Sequence, residues 1–287
     1  FMKYGKSIFW IRRDLRLSDN TALSSATALS KEVVLAFVFD INILKKIKNK
    51  RDRRITFIYQ SLLELDQKLR DKGSALVILR GDPKIEIPEF SKRIKANAIF
   101  VNRDYEPYAK KRDKAIQSSC KNLGIAFNSF KDQVIFEGNE LLKNSGEPYK
   151  VFTPYKNKWL IELDKSFYQN HKPNLKRLLP KKKLHGELVD WSFNNIGFEP
   201  SKLWLKAGQR AAENQLNKFL PHIITYEKNR NYPFISNGTS RLSVHLRFGT
   251  LSIRSLVRVA LNSSDSGSKI WLSELIWRDF YQMILDQ

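Results

Sequence analysis

The sequence predicts two unlike parts, an α/β part with a parallel sheet followed by an all-helical part. In residues 1–132, short β-branched and aromatic runs alternate with segments of helical periodicity. From about Leu203 onward only helical patterns remain, which predicts an all-helical domain at 204–287. The stretch between, 133–203, is irregular and holds five of the ten prolines, so we interpret it as a connector.

Four runs in the first part have the composition of buried strands: residues 7–11, 33–39, 75–79 and 98–101. Helical patterns lie between them. Strand–helix–strand repetition calls for a parallel sheet with right-handed crossovers.

Two helices of this part have clear ends. Over 54–72, apolar residues recur at three- and four-residue steps, and Gly73 stands where helices usually end. A second helix is expected over 20–29, with Ser18 or Asp19 as its N-cap.

The remaining helices fall in the connector and the second part. One is expected near 155–168 and three more at 209–220, 251–261 and 270–285. Pro221 ends the first of these three.

Composition narrows the class of protein. Lys and Arg total 51 against 29 Asp and Glu, which gives a net charge of +22. This charge would attract polyanions such as nucleic acid. The alternative is that the basic residues only form a solvated surface. The single cysteine, Cys120, excludes an internal disulfide and a cysteine-cluster zinc site, and no two histidines have metal-ligand spacing. His245 lies in an apolar pattern and is expected to be packed and hydrogen-bonded. There is no secretory signal and no apolar run of about 20 residues, so we expect a cytoplasmic protein without a membrane or metal site.

The last predicted helix carries an unusual face. At about 100° per residue, its aromatic and charged side chains share one arc: Trp271, Glu274, Trp277, Arg278 and Tyr281. Flat rings with a few polar groups suit a planar ligand or an unstacked base. The alternative is a buried helix whose Glu274 and Arg278 pair at i,i+4.

The stretch GTSRLS has the residues of a phosphate site. Gly238 permits a tight turn, while hydroxyls and a guanidinium follow at Thr239, Ser240, Arg241 and Ser243. These groups could bind a pyrophosphate beside a helix N-terminus, or they could merely cap that helix. Upstream, YEKNRNYP interleaves aromatic and basic residues, which suits a polyanion with bases or a solvated loop.

The loop after the first strand, WIRRDLRLSDN, opens at the carboxyl edge of the expected sheet, where ligands bind. It has no glycine, so GxGxxG dinucleotide binding is unsupported. Its charged residues could instead form an ion-pair cluster at the domain interface: Arg12, Arg13, Asp14 and Arg16.

Five segments in order resemble the DNA photolyase/cryptochrome family, and most of all its class I cyclobutane pyrimidine dimer photolyases. They are FWIRRDLRLSDNTAL, YKVFTPYKNKW, YEKNRNYP, GTSRLSVHLRFGTLS and WLSELIWRDFY. The resemblance runs from the first strand to the last residue. It implies a Rossmann-like α/β antenna domain, a connector and an all-α FAD-binding domain.

The resemblance also implies site residues. Those matching FAD contacts are Tyr226, Thr239, Ser240, Arg241, Leu242, Ser243 and Trp271. Those matching DNA contacts are Arg230, Glu274, Trp277, Arg278 and Tyr281. Among these, Glu274 is implied to bond a base of the flipped-out dimer and Trp277 to stack on it, and both are implied to be catalytic.

The implied activity is light-driven repair by a monomer acting on damaged DNA. Excited, reduced FAD donates an electron to the dimer, the cyclobutane ring splits and the electron returns. Close alternatives are a cryptochrome-type photoreceptor, a (6-4) photoproduct enzyme and, for this chain alone, a flavin-free basic DNA-binding module.

Two departures from the family pattern matter. No Gly or Pro stop signal precedes Gln287, and family members continue beyond this point, so we expect an incomplete FAD-binding domain. Folate-binding members carry an Asn-Glu pair where this chain has Tyr108 and Ala109, which disfavours methenyltetrahydrofolate as the antenna. A deazaflavin, a flavin or no antenna remain open.

Overall fold

The computed structural model describes residues 2–287, and its first half is built on one five-stranded sheet. All neighbouring strands are parallel, in the order β3-β2-β1-β4-β5, which confirms the predicted parallel α/β architecture. The strands are β1 (Tyr4–Ile11), β2 (Ser30–Asp40), β3 (Leu76–Gly81), β4 (Ala98–Asn102) and β5 (Ala126–Phe130).

Helices surround the sheet and make up the regular structure of the second half. In the sheet-containing half they are α1 (Thr21–Leu29), α2 (Ile41–Leu44), α3 (Arg53–Arg70), α4 (Pro83–Arg93) and α5 (Pro107–Asn122). The rest are α6 (Phe152–Glu162), α7 (Phe193–Ile196), α8 (Gln209–Phe219), α9 (Tyr226–Asn229), α10 (Ser243–Phe248), α11 (Ile253–Leu261) and α12 (Ser266–Asp286).

The sheet has an apolar core on each face because successive side chains of a strand point to opposite sides. In β1, Phe9 and Ile11 enter one core, while Ile8 and Trp10 enter the other. Strand β1 lies at the centre and pairs with both β2 and β4. The sequence pattern missed β5, an edge strand whose AFNSF residues are half-buried and partly polar.

One predicted cap is wrong. Asn20, rather than Ser18 or Asp19, caps α1, and its side chain accepts a hydrogen bond from the Leu23 amide. Asp19 instead adopts a left-handed backbone with φ of +45° and directs its carboxylate toward the second half of the chain. Gly73, with φ of +75°, follows α3 as predicted.

The helix expected over 155–168 is interrupted. Helix α6 begins at Phe152 and ends at Glu162, and a 3-10 turn follows at Lys165–Tyr168. The break lies at Asp164, whose extended backbone and side chain cap that turn.

The connector packs back onto the sheet. Leu178 forms a parallel bridge with Val33, the Leu179 amide donates to the Val33 carbonyl (2.8 Å), and Ile196 and Phe198 enter a core of the sheet. We call residues 175–198 the strap because they run across the end of β2 and cover apolar surface of the α/β part.

Buried ion pairs join the two halves. Arg254 of α11 contacts Asp19 (2.9 Å) and Asp132 (2.7 Å), Arg16 also contacts Asp132 (2.6 Å), and Arg258 contacts Asp19 (2.7 Å). The guanidinium groups hold the pKa of Asp132 below its usual range against the effect of its burial. The prediction of an interface cluster made by Arg12, Arg13, Asp14 and Arg16 is therefore wrong in its residues, because the ion pairs between the halves use Asp19 and Asp132, while Arg12, Arg13 and Arg16 pair with carboxylates of the first half.

The second half has its own apolar core, packed along one side of α12. The predicted apolar residues of that helix are buried there: Leu272, Leu275, Ile276, Phe280 and Met283. His245 is buried as expected and shares a hydrogen bond with Thr250 Oγ1 (2.8 Å). Within residues 2–287, no helix combines the length and apolarity needed to span a bilayer.

Candidate functional site

A cavity of about 340 Å³ lies between the helices of the second half and the loop after β1. We call it the helical cavity. It is lined by Arg13, Tyr226, Ser240, Leu242, Ser243, Leu246, Arg247, Leu256, Trp271, Glu274, Leu275, Arg278 and Gln282. Aromatic rings, hydroxyls and guanidinium groups therefore face a single space of ligand size.

The GTSRLS turn brings the hydroxyls to this cavity. Gly238 is required there because a Cβ would lie 2.7 Å from the Asn229 carbonyl oxygen. Arg241 has φ of +54°, which reverses the chain, and Gln215 holds the turn by donating to the Ser240 carbonyl (3.0 Å). The predicted capping of the next helix is wrong, since α10 begins after Leu242 without a side-chain cap.

Glu274 forms an ion pair with Arg230, 2.6 Å from Oε1 to Nη1. The alternative pairing of Glu274 with Arg278 is therefore wrong. The hydrogen bond to Glu274 raises the pKa of Arg230, and its guanidinium also lies 5.4 Å from the centre of the Tyr226 ring. The carboxylate of Glu274 is thus held by Arg230 at the cavity wall.

Arg278 turns toward the interface between the halves. Its Nη1 donates to the carbonyl of Gln133, and its side chain is mostly buried. Burial lowers the pKa of Arg278, and the nearby Arg13 and Arg247 lower it further, whereas Asp279 opposes them. Three guanidinium groups consequently share one side of the helical cavity.

One lining residue has an unmatched polar atom. The Oε1 atom of Gln282 is buried and has no hydrogen-bond partner in the described chain. A buried acceptor without a partner costs about 1–3 kcal/mol, so a donor on a ligand in this cavity would offset that cost.

Trp277 lies beside the cavity in a row of aromatic rings. Phe152 of α6 stacks on it, with ring centres 3.6 Å apart and planes 9° apart. Tyr281, which is 61% exposed, lies 5.5 Å away and is inclined by 24°. These rings form an aromatic surface on the outer side of α12.

The structure brings most predicted site residues together. Seven line the helical cavity: Tyr226, Ser240, Leu242, Ser243, Trp271, Glu274 and Arg278. Arg230 lies behind Glu274, and Trp277 and Tyr281 form the adjacent aromatic surface. Thr239 and Arg241 are exposed and do not line the cavity.

Sequence reasoning missed several lining residues. Arg13, expected only in an interface cluster, reaches the helical cavity from the α/β half, and Arg247 and Gln282 also line it. The position of Arg13 at the carboxyl edge of the sheet was the available signal. Arg247 and Gln282 lie on helices whose facing neighbours the sequence pattern does not specify.

A second cavity, of about 450 Å³, lies at the carboxyl edge of the sheet, where the loops after β1 and β4 diverge. We call it the sheet-edge cavity. Its apolar walls include Trp10, Phe37 and Ile55. Parallel sheets bind ligands at such a point because neighbouring loops open to opposite sides.

Polar groups of the sheet-edge cavity are firmly held. Tyr108 donates to Asp40 Oδ2 (2.6 Å), and burial together with this carboxylate raises the pKa of Tyr108 to about 12. The guanidiniums of Arg12 and Arg112 lie 4.7 and 4.9 Å from the centre of the Trp10 ring. Arg13 and Arg247 line both cavities and so form a shared wall.

The sequence profile of the DNA photolyase family matches residues 7–176. The chain belongs to the DNA photolyase family. A deoxyribodipyrimidine photo-lyase of Synechococcus sp. PCC 6301 is 34% identical over 97% of the chain and 60% of its own length. An uncharacterized 31.6 kDa protein of Synechococcus sp. PCC 6716 is 32% identical over 97% of the chain and 100% of its own length.

Solved structures of photolyases share the fold. A class III photolyase from Agrobacterium tumefaciens has a TM-score of 0.85 and 25% identity over 100% of this chain and 60% of its own. An archaeal photolyase from Sulfolobus tokodaii, solved with two FAD molecules, has a TM-score of 0.77 and 26% identity. The match covers 98% of this chain and 59% of the Sulfolobus chain. The chain thus spans about 60% of the length of these photolyases.

Proposed function

We propose that this photolyase-family chain serves the light-driven repair of cyclobutane pyrimidine dimers in DNA, with FAD held in the helical cavity. The observation that carries the proposal is the convergence on one cavity of seven residues that match flavin or DNA contacts of the family. The resemblance named these residues across more than fifty positions of sequence, and folding places them around one space.

The residues present suit FAD. Guanidinium and hydroxyl donors suit a diphosphate, the rings of Tyr226 and Trp271 suit planar groups, and the unpartnered Gln282 Oε1 suits a ligand N–H or O–H. Reduced FAD, when bound, would supply the light-excited electron that splits the cyclobutane ring. The chain contributes position, charge and exclusion of water.

The residues around α12 would meet the dimer. Glu274, paired with Arg230 at 2.6 Å, would accept a hydrogen bond from a base N–H. Trp277, braced by Phe152, would stack on a base that has left the duplex. Arg230 and Tyr281 would border the same surface, and the +22 charge would favour the DNA polyanion.

The sheet-edge cavity is the proposed place for a second chromophore. It has apolar walls and the cationic side chains of Arg12, Lys46, Arg54 and Arg112, which suit a planar anionic molecule. The second FAD of the Sulfolobus tokodaii photolyase supports a flavin, and a deazaflavin, which has a similar flat tricyclic ring, is the second candidate. Ala109 lines this cavity without a carboxylate, which continues to disfavour methenyltetrahydrofolate.

The test is the absorption spectrum of the purified protein, with intact mass measured on the same sample, followed by repair of a dimer-containing oligonucleotide under blue light. Bound flavin and light-dependent loss of the dimer would support the proposal. Bound flavin without repair would favour a photoreceptor of the cryptochrome type. A colourless protein that binds intact and damaged DNA equally would favour a flavin-free DNA-binding module.

A further inference from the structure

Arg13 is fixed by groups from both halves of the chain. Its Nη1 donates to Asp104 Oδ1 (3.0 Å) and Glu106 Oε1 (3.1 Å), which follow β4. Its Nε donates to the Arg247 carbonyl of α10 (3.1 Å). Only 13% of the side chain is exposed, so the guanidinium has a defined position rather than a solvated one.

Three guanidinium groups lie close together around the position of Arg13. Arg247 also contacts Glu106 Oε1 (2.8 Å), so two carboxylates, Asp104 and Glu106, serve two arginines. Arg278 adds a third guanidinium on the same cavity, and the carboxylate nearest to it in the structure, on Asp279, is 3.9 Å away. That carboxylate accepts hydrogen bonds from the Ile135 amide (2.9 Å) and the Trp159 indole N–H (3.2 Å), and it makes no hydrogen bond to Arg278.

The arginines also affect one another electrostatically. Burial lowers the pKa of Arg13, and repulsion by Arg247 lowers it further, while Asp104 and Glu106 act against both. Guanidinium groups that line one cavity and repel each other gain stability when an anion binds between them.

We propose that Arg13 is an anion-binding residue of the helical cavity, and that with Arg247 and Arg278 it holds the phosphoryl groups of the bound ligand. The hydroxyls of Ser240 and Ser243 line the same cavity and would complete the donor set. The α/β half thereby contributes directly to a site that the sequence places in the helical half alone. This inference rests on the proposed function for the identity of the ligand, FAD, but not for its anionic class.

The test compares two flavins that differ in phosphate. Dissociation constants for FAD and for riboflavin are measured on the wild type, Arg13→Gln and Arg13→Lys. The matched control is Arg80→Gln, which removes one exposed charge of the α/β half outside both cavities. Thermal unfolding of each variant is measured to verify folding.

Arg13→Gln is expected to weaken FAD binding about 10- to 100-fold, the usual loss for a charge-assisted hydrogen bond. The affinity for riboflavin should stay unchanged. Arg13→Lys should recover part of the loss, and Arg80→Gln should have no effect. Equal losses for FAD and riboflavin, or no loss for either, would overturn the assignment.

Pyrophosphate separates this inference from the proposed function. If the wild type binds neither flavin, the proposed function fails, and inorganic pyrophosphate is then titrated into the same four proteins. Weaker pyrophosphate binding by Arg13→Gln than by Arg80→Gln would still support the anion site. The same affinity for both variants would refute it.

Discussion

In the proposed function, Trp277 is the residue that stacks on an unstacked base. Phe152 holds the ring from α6 at 3.6 Å. We predict that Trp277→Ala weakens binding of dimer-containing DNA about 5- to 150-fold more than binding of intact DNA, because stacking on an aromatic ring contributes about 1–3 kcal/mol per base.

The measurement is a pair of binding titrations with oligonucleotides that differ only in the dimer. Trp204→Ala is the control, since Trp204 is 60% exposed at the start of the second part and its loss removes a side chain of the same size. Equal losses on damaged and intact DNA would remove Trp277 from the recognition of the dimer.

Two buried groups give opposite pH dependence to the free energy of unfolding. Burial raises the pKa of Asp279 to about 6, although Arg278 and hydrogen bonds from Trp159 and two amides oppose it. Burial lowers the pKa of His245 to about 4. Between pH 4 and 6 the native state therefore binds the Asp279 proton more tightly than the unfolded chain does, whereas it binds the His245 proton less tightly.

The signs lead to a prediction for single variants. As the pH falls from 6 to 4, Asp279 adds stability and His245 removes it, each by at most roughly 3 kcal/mol. Asp279→Asn keeps the acceptor for Trp159 but cannot take up a proton. On acidification, the free energy of unfolding measured with urea should therefore fall more in this variant than in the wild type. His245→Gln should change the slope in the opposite direction. Identical slopes in all three proteins would mean that neither group titrates as stated.

Single residues also mark where sequence reasoning stops. The composition of GTSRLS indicated a phosphate site, and Ser240 and Ser243 do line the cavity. The roles of Asp19 and Arg13 depend on partners more than 80 positions away, such as Arg254 and Asp104. A local pattern therefore assigned Asp19 a helix cap, the role that its immediate neighbours suggested.

At the scale of elements, the C-terminus of α10 joins the two halves through Gly249. Its φ is +65°, and an added Cβ would lie 2.0 Å from the Arg13 carbonyl oxygen. We predict that Gly249→Ala lowers the free energy of unfolding by at least about 3 kcal/mol, because strain in the left-handed region adds to a backbone clash.

Gly124→Ala is the matched control for this prediction. Gly124 follows α5 with a similar φ of +67°, and an added Cβ there would meet nothing within 4 Å. Its variant should lose only about 1 kcal/mol. Urea unfolding of both variants would decide the matter, and similar losses would show that the close approach to Arg13 has no energetic weight.

Elements with strong periodicity were predictable, and marginal ones were not. The apolar stripe of α3 and the buried runs of β1 to β4 were recognised because burial on both faces leaves few polar residues. Strand β5 was missed because its residues are half-buried or exposed and include the polar Asn128 and Ser129, whereas the other edge strand, β3, is mostly apolar and buried. The predicted arc of α12 was recognised, yet periodicity could not tell which neighbour, Arg230 or Arg278, pairs with Glu274.

For the whole molecule, the +22 charge predicts binding of intact DNA that depends strongly on salt. If about six phosphates are contacted, the logarithm of the association constant should fall with the logarithm of salt concentration with a slope of roughly −5. The loss between 50 and 200 mM salt would then be about a thousandfold. Titrations at four salt concentrations measure the slope, and a slope near zero would show that the basic surface does not contact the DNA backbone.

The arrangement of the two halves could not be derived from sequence periodicity. The helical cavity, the shared arginine wall and the buried ion pairs all join residues far apart in the chain, as in Arg254 with Asp19. Such contacts depend on how completed elements pack. The family resemblance nevertheless identified seven of the cavity residues, because the motifs of a family reflect contacts made in its folded members.

The strap has a consequence for synthesis on the ribosome. Leu178, Ile196 and Phe198 complete a core of the sheet, so the sheet of a nascent chain stays partly uncovered after β5 has been made. At about 5–20 residues per second, translation of residues 133–198 leaves that apolar surface open for roughly 3 to 13 s. We expect ribosome-associated chaperones to bind the nascent chain during that interval.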